Sequence, residues 1–382
     1  MKRVLFYTAN GVGLGHLRRT QLIAEELRKK KIEVVLATSS LSPQILGKFF
    51  DHLIRLEPFT EKLSDDELAY LKARTKNEKR LLAAVKKFKP DLIVGDFHLS
   101  KRNFVFLTLK KVLDSFPIKN VFIWRIDSFK NFPSIIKELE SRIKYFNKII
   151  IPHSQIELVE LLPFSFLKKI SADKRFEISG PIFQKLDKNK LDQCRKKYNI
   201  SSKDFIITIT LGAGGGLKDY CDFPDKIVQG FLNIYSQLAR NIPNLRSFLI
   251  LGPYFKKTPR KSSFGLKVVR FENNLLELMK VSNLVVSTAG YNTCNELIEA
   301  RTPSILIPLK RGGSEQFDRA DFFEKKGVSA AIKNISSRKL LEAIMSSKDN
   351  LSGMKNSFKN FSDWGWGNKS ATKIILKELN EK

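Results

Sequence analysis

The stretch Ser287-Thr-Ala-Gly-Tyr-Asn-Thr-Cys-Asn-Glu296 decides how this chain is read. It follows an apolar run from Asn283 to Val286 that has the character of a buried strand. Gly290 then lets the backbone come close to a ligand, and a helix opens that carries an acid, Glu296, on its first turns. A strand, a Gly/Ser/Thr turn and a helix N-terminus together make a place for phosphate. Unbonded N–H groups point outward there, and the helix dipole favours negative charge. A carboxylate on that helix can accept both hydroxyls of a ribose. About twenty residues after Glu296 come Glu315 and Gln316, and the whole set reads as a site for a nucleotide sugar.

Working outward, the same order of parts opens each half of the chain. Val4–Thr8 is a β-rich run, followed by Gly11-Val-Gly13-Leu-Gly15 and a helical stretch from Leu17 to Lys30. In the second half the strand is Phe205–Leu211, the loop Gly212-Ala-Gly214-Gly215-Gly216, and the helix Lys226–Arg240. Further strands are expected at Val34–Thr38, Leu92–Val94, Val121–Arg125, Lys148–Ile151 and Phe176–Ser179. In the second half they are expected at Ser247–Leu251, Lys267–Arg270, Leu284–Val286 and Ser304–Ile307. Short apolar strands separated by helix-length segments build parallel sheets with right-handed crossovers. The fold class is therefore α/β, with two Rossmann-like parallel-sheet domains facing a cleft. The expected domains are residues 1–181 and 182–363, joined at Gly180-Pro181. Residues 364–382 follow as a turn, Trp364-Gly-Trp366, and a helix that packs back on the first domain.

Composition narrows the class. At 382 residues the chain exceeds one ordinary core. With 42% hydrophobic and 28% charged residues it reads as globular rather than disordered. No run reaches the roughly 18 apolar residues of a spanning helix, and Asn10 and Gly11 interrupt the apolar start too early for a signal peptide. Cys194, Cys221 and Cys294 have neither metal nor disulfide spacing, which suits a reducing cytoplasm. The net charge of +29 is even between the halves, so it marks no basic arm. Solvated faces account for most of it. Attraction to an anionic leaflet is the next reading, at roughly 1 kcal/mol per surface Lys or Arg. Nucleic acid is not expected as a partner, because no binding motif for it is present.

The glycine loops do not make a dinucleotide site. That fingerprint needs Gly-x-Gly-x-x-Gly and an acid at the end of the second strand. Here the spacing is Gly11-x-Gly13-x-Gly15, and the second strand ends Ala37-Thr38-Ser39-Ser40. Neither loop carries the Gly-Lys-Ser/Thr of a P-loop, and there is no Gly-x-Ser-x-Gly elbow or Asp-x-Asp metal clamp. What remains is a glycine loop that ends in His16.

Three motifs, Gly13-Leu-Gly-His-Leu-Arg-Arg19, Gly290-Tyr-Asn-Thr293 and Glu315-Gln-Phe-Asp-Arg-Ala320, together resemble the GT-B glycosyltransferases of family 28, the MurG-like group. The similarity spans both halves in the right order. It implies that the second domain binds the donor. Phe271 would pack on the base while the Glu272 backbone meets its edge, and Glu296 would take the ribose hydroxyls. The diphosphate would lie against Gly212, Gly214, Gly215 and Gly216 and against Ala289, Gly290, Tyr291, Asn292 and Thr293, with Gly13 and Gly15 also near the donor. Glu315 and Gln316 would hold the sugar. One departure is plain: relatives often place an arginine just after the Gly-x-Pro hinge, where this chain has Gly180-Pro-Ile-Phe183.

The resemblance makes the first domain the acceptor side. His16, at a helix N-terminus and with an ordinary pKa near ~6.5, would be the general base. The alternative is a histidine that only closes the loop. Asp96, in Val94-Gly-Asp-Phe-His98, would orient it, and Arg19, Arg125 and Asp127 would meet the acceptor; the alternatives are a helix-capping aspartate and surface ion pairs. The implied activity is metal-independent transfer of a sugar from a nucleotide diphosphate, expected to be UDP, to a hydroxyl acceptor that is lipid-linked or part of a cell-envelope glycan. No cofactor is implied, since the nucleotide sugar is a substrate. The expected location is the cytoplasm, at the inner face of the membrane. The competing readings are a nucleotide-sugar hydrolase or epimerase of the same fold and a non-catalytic nucleotide-sugar-binding subunit.

Overall fold

The structure, a computed structural model, describes residues 1–9, 14–40, 49–58, 66–98, 104–126, 140–215, 222–256, 264–309 and 315–381. The chain forms two compact units, Met1–Phe183 with Trp364–Lys382, and Gln184–Asp363.

In the first unit, Val4-Leu-Phe-Tyr7 is apolar at every position, which suits a strand covered on both faces. That strand, β1 (Arg3–Thr8), lies near the middle of a parallel sheet. The others are β2 (Glu33–Thr38), β3 (His52–Arg55), β4 (Leu92–Asp96), β5 (Lys119–Ile123), β6 (Lys148–Ile151) and β7 (Phe176–Ile178). Their order is β3-β2-β1-β4-β5-β6-β7. Leu5 and Tyr7 pack one way, against Leu81 and Val85 of helix Glu67–Phe88 and Leu109 and Val112 of helix Phe104–Ser115. Val4 and Phe6 pack the other way, against Leu17, Ile23 and Leu27 of helix Gly15–Lys29. Ala371, Ile374 and Ile375 of helix Asn368–Asn380 complete that second face. Each such side chain, fully buried, contributes about 1.5–3 kcal/mol.

The entry to that last helix is tightly specified. A Cβ at Gly367 would fall 2.0 Å from the Gly180 carbonyl oxygen, so the two backbones meet only because residue 367 has no side chain. Asn368 then closes on Phe183 at both ends: its Oδ1 accepts from the Phe183 N–H at 3.1 Å and its Nδ2 donates to the Phe183 oxygen at 3.0 Å.

The second unit holds β8 (Phe205–Thr210), β9 (Leu245–Ile250), β10 (Leu266–Val269), β11 (Leu284–Ser287), β12 (Ser304–Leu306) and β13 (Ser329–Ala331). Their order is β10-β9-β8-β11-β12-β13, again parallel throughout. Both sheets therefore reverse their winding between the first and fourth strands of the unit. The register places Thr8 beside Asp96 in one sheet and Thr210 beside Ser287 in the other. A crevice opens at the carboxyl ends of such a strand pair, and ligands of open α/β sheets bind there.

Two of the four edge strands, β3 and β13, were not among the expected strands. His52-Leu-Ile-Arg55 is polar at both ends, and Ser329-Ala-Ala331 is short and weakly apolar, so neither carries a periodic signal. Short edge strands of this kind need no apolar face.

Candidate active site

Each switch point carries a cluster of the singled-out residues. In the first unit the helix Gly15–Lys29 begins immediately beyond the β1 loop, with Leu14 at its N-cap and no acid in its first turn. That places His16 in the first turn and Arg19 one turn on, on the same face. Both side chains turn inward to Asp96, the last residue of β4. His16 Nδ1 is 2.6 Å from Asp96 Oδ1. Arg19 reaches Oδ1 through Nη2 at 2.5 Å and Oδ2 through Nε at 3.0 Å. All three residues are buried: His16 is 5% exposed, Arg19 1% and Asp96 0%.

Burial governs the charge states. It pushes the Asp96 carboxyl up, but the Arg19 guanidinium and the hydrogen bonds from His16 and Arg19 outweigh it, and the acid ends below its ordinary range. Burial also pushes His16 down, to about 3; Asp96 opposes this, and His98 and Arg19 add to it. The ordinary histidine pKa expected from sequence is thus corrected by desolvation. A neutral ring beside an anionic carboxylate carries its proton on Nδ1 and donates it to Asp96, leaving Nε2 with a lone pair. Arg19 Nη2 also lies 2.9 Å from Nδ1, but the shorter contact to the charged oxygen assigns the proton as above.

Arg19 was expected to meet the acceptor; the structure buries its guanidinium, with Nε and Nη2 on Asp96, so it sets the carboxylate. Arg125 is partly buried, with Nη2 3.2 Å from Nε2 of His98. His98 was given no role in the sequence. It is exposed, and its ring stands edge-on to His16 with centroids 4.7 Å apart. Its place two residues after Asp96 was the signal that it would sit at the same strand end. Gly13 and Asp127 lie outside the described residues, and Gly15 opens the helix with no described residue within 4 Å of a Cβ built on it.

In the second unit, β11 runs into Thr288-Ala-Gly290, and Gly290 is the N-cap of helix Tyr291–Ala300. Among the described residues, only Thr293 Oγ1, at 3.9 Å, comes within 4 Å of a Cβ built on Gly290. Asn292, Thr293 and Glu296 are half-buried along the helix; Ala289 and Tyr291 are buried beneath it. The loop after β8 is closely packed at two of its glycines. Gly214 has φ +75°, and a Cβ there would stand 1.8 Å from the Leu251 oxygen, while one at Gly215 would stand 2.7 Å from the Tyr254 oxygen. These two glycines answer to the protein's own backbone crossing. Gly212, at φ +61°, has no described residue within 4 Å of a Cβ built on it. Gly216 lies outside the described residues.

Phe271 is 41% exposed just beyond β10, an unusual place for a large ring and one suited to a planar base. The neighbouring Glu272 is buried. Its carboxylate takes Lys197 Nζ at 2.5 Å, the Tyr198 hydroxyl and the Asn274 N–H at 2.8 Å. Burial raises this acid, but the Lys197 and Tyr198 bonds overcome that and hold it low. Only its backbone is left to meet a base. Glu315 and Gln316 begin helix Glu315–Lys325, and both are buried. Gln316 Oε1 accepts from the Leu309 N–H at 3.0 Å, which leaves its amide N–H groups and the second lone pair of Oε1. Arg319, on the same helix, donates from Nη1 to the Ala289 oxygen at 2.9 Å.

Among the described residues, no group of three or more His, Cys, Asp or Glu side chains is placed to hold a metal ion, and no helix is long and apolar enough to cross a membrane.

Comparison with known proteins bears on the family and the fold. Residues 224–363 match the glycosyltransferase family 28 C-terminal domain. Over 363 residues the chain is 24% identical to a processive diacylglycerol beta-glucosyltransferase of Bacillus cereus, covering 87% of this chain and 82% of the relative. A UDP-N-acetylglucosamine–N-acetylmuramyl-(pentapeptide) pyrophosphoryl-undecaprenol N-acetylglucosamine transferase of Clostridium perfringens is 29% identical over 259 residues, 66% of this chain and 68% of that one. The crystal structure of Acinetobacter baumannii MurG has the same fold, with a TM-score of 0.62 at 12% identity over 99% of this chain and all of that one, that is 100%.

Proposed function

Because the chain is a MurG-like glycosyltransferase of family 28 with the two-domain GT-B fold, we propose that it moves a sugar from a UDP-sugar to a hydroxyl on a lipid or lipid-linked acceptor. The observation that carries the transfer is the buried His16–Asp96 pair at the switch point of the first sheet. His16 stays neutral across the working pH range, so its Nε2 lone pair is always available to an acceptor O–H. As the oxygen attacks the anomeric carbon and the UDP oxygen leaves, the proton passes to Nε2, and the anionic Asp96 stabilises the imidazolium that forms. The charge gathering on the leaving diphosphate is met by the N-terminus of helix Tyr291–Ala300 and by the backbone around Gly212. Phe271 and Glu296 hold base and ribose, and Glu315 and Gln316 the sugar. This chemistry needs no metal.

The acceptor class rests on two supports. The relatives above are named for diacylglycerol and for a pyrophosphoryl-undecaprenol, both membrane lipids. The net charge of +29 favours approach to an anionic leaflet, which for a protein of this kind is the inner face of the membrane. The test is to incubate the protein with UDP-glucose or UDP-N-acetylglucosamine and vesicles carrying diacylglycerol or a polyprenyl-linked sugar. A glycosylated lipid is the expected product. UDP release at the same rate with and without lipid would replace transfer by hydrolysis.

A further inference from the structure

Arg319 stands where the two motifs of the second unit meet. It lies on helix Glu315–Lys325, one turn beyond Glu315, and is 1% exposed. Nη1 donates to the Ala289 oxygen at 2.9 Å, in the turn that leads into Gly290. The guanidinium carbon is 5.8 Å from the centre of the Tyr291 ring, the first residue of the helix that turn opens. Nη2 is 3.6 Å from Glu315 Oε2, at the long end of an ion pair. One buried cation thus touches the turn on which the phosphates would rest and the carboxylate that would hold the sugar.

We propose that Arg319 is a positioning residue for the diphosphate-sugar end of the donor, fixing the Ala289–Tyr291 turn and the Glu315 carboxylate in one arrangement. The assignment rests on the donor reading of this unit. Its physical basis has two parts. A guanidinium is charged at every working pH and presents planar, fixed donors, so it can set the direction of a carbonyl and a carboxylate at once. A cation bonded to the Ala289 oxygen also polarises the Ala289–Gly290 peptide, which makes its N–H a stronger donor toward an anion. The base and ribose end is assigned instead to Phe271 and Glu296.

The two ends of the donor can be separated by calorimetry with uridine, UDP, UDP-glucose and UDP-N-acetylglucosamine on the full chain. Arg319→Met should weaken UDP and whichever UDP-sugar the wild type binds about tenfold or more, with uridine affinity within twofold of wild type. Arg319→Lys, which keeps the charge but not the fork, should fall between. In a cycle with Glu315→Gln, the two losses on the UDP-sugar should be less than additive. Equal losses on uridine and on the UDP-sugar would make Arg319 a general support of the fold, and unchanged affinities would remove it from the site; either overturns the proposal. If Arg319→Met does not fold, the same ratio measured on Arg319→Lys decides. A wild-type chain that binds none of the four would overturn the donor reading and this assignment with it, whereas wild-type binding with an unchanged ratio in the variants overturns the assignment alone.

Discussion

Arg19 grips Asp96 by both carboxylate oxygens, Nη2 on Oδ1 and Nε on Oδ2, in a place that water does not reach. The pair is what lets an anion exist at the end of β4 at all. Without it burial would push the carboxyl up with less to oppose it, and the group that orients the His16 ring would be less firmly anionic.

Removing Arg19 should therefore cost stability first. Breaking a buried pair by deleting one partner typically costs about 3–5 kcal/mol, because the other charge is left uncompensated. Arg19→Ala should lose that much in urea unfolding and lose turnover along with it. A loss under about 1 kcal/mol, the level of a surface ion pair, would mean that Asp96 has other support.

His16→Ala should lower turnover by about 10²–10⁴, the usual contribution of a positioned base. UDP affinity should stay within twofold, since the nucleotide contacts are proposed to lie in the other unit. Asp96→Asn should reduce turnover in the same direction. Weakened UDP binding at intact saturated turnover would assign His16 to the donor phosphates instead.

The depressed His16 pKa has a sign that can be measured. The unfolded chain protonates this histidine near pH 6.5 and the folded one only near about 3, so between those values the unfolded state holds the extra proton. Stability should fall as pH falls through this window, with this residue adding a slope of up to ~1.4 kcal/mol per pH unit. His16→Gln should flatten the urea-unfolding free energy between pH 6.5 and about 4.5 relative to wild type. The Asp96 contribution is lost only lower, below the ordinary carboxyl value of 3.8, and so does not interfere. Identical slopes for the two proteins would show that His16 is open to water.

Glu296 is half-buried on helix Tyr291–Ala300, where a pair of ribose hydroxyls could be accepted. Each charge-assisted hydrogen bond contributes roughly 1.5–3 kcal/mol. Glu296→Ala should thus weaken uridine and UDP at least about tenfold by calorimetry, with an unchanged unfolding midpoint. Equal affinity for uridine in both proteins would take Glu296 out of the site.

Turnover should persist in EDTA, since backbone N–H groups and a helix N-terminus are read as carrying the diphosphate charge. Activity abolished by chelator and restored by magnesium or manganese would contradict that reading.

The central strands were legible because both of their faces are covered, which makes Val4–Tyr7 and Leu284–Val286 apolar without a break. The edges β3 and β13 have no such requirement and left no signal. The approach of Asp96 to His16 depends on β4 pairing with β1, and strand order is a matter of three-dimensional winding that local composition does not encode. The inward turn of Arg19 had one available sign, its place three residues after His16 on one helix face. An arginine there reads as solvated until the acid it meets is known. The glycines at 214 and 215 illustrate the opposite case: the residue type was informative, but a crossing with Leu251 and Tyr254 demands it as firmly as a ligand would.

The helix Asn368–Asn380 has a consequence for how the chain is made. It closes the face that Val4, Phe6, Leu17 and Ile23 present, and Lys2 Nζ donates to the Leu379 oxygen across 377 positions of sequence. A ribosome at work delivers the start of the first unit early and its closing helix late, after the whole of Gln184–Asp363 has emerged. The second unit, contiguous in sequence, is free to fold as soon as it appears, while an apolar face of the first waits uncovered. Chaperone dependence during synthesis should therefore concentrate on the first unit, and a nascent chain stalled before residue 368 should expose that face to a holdase.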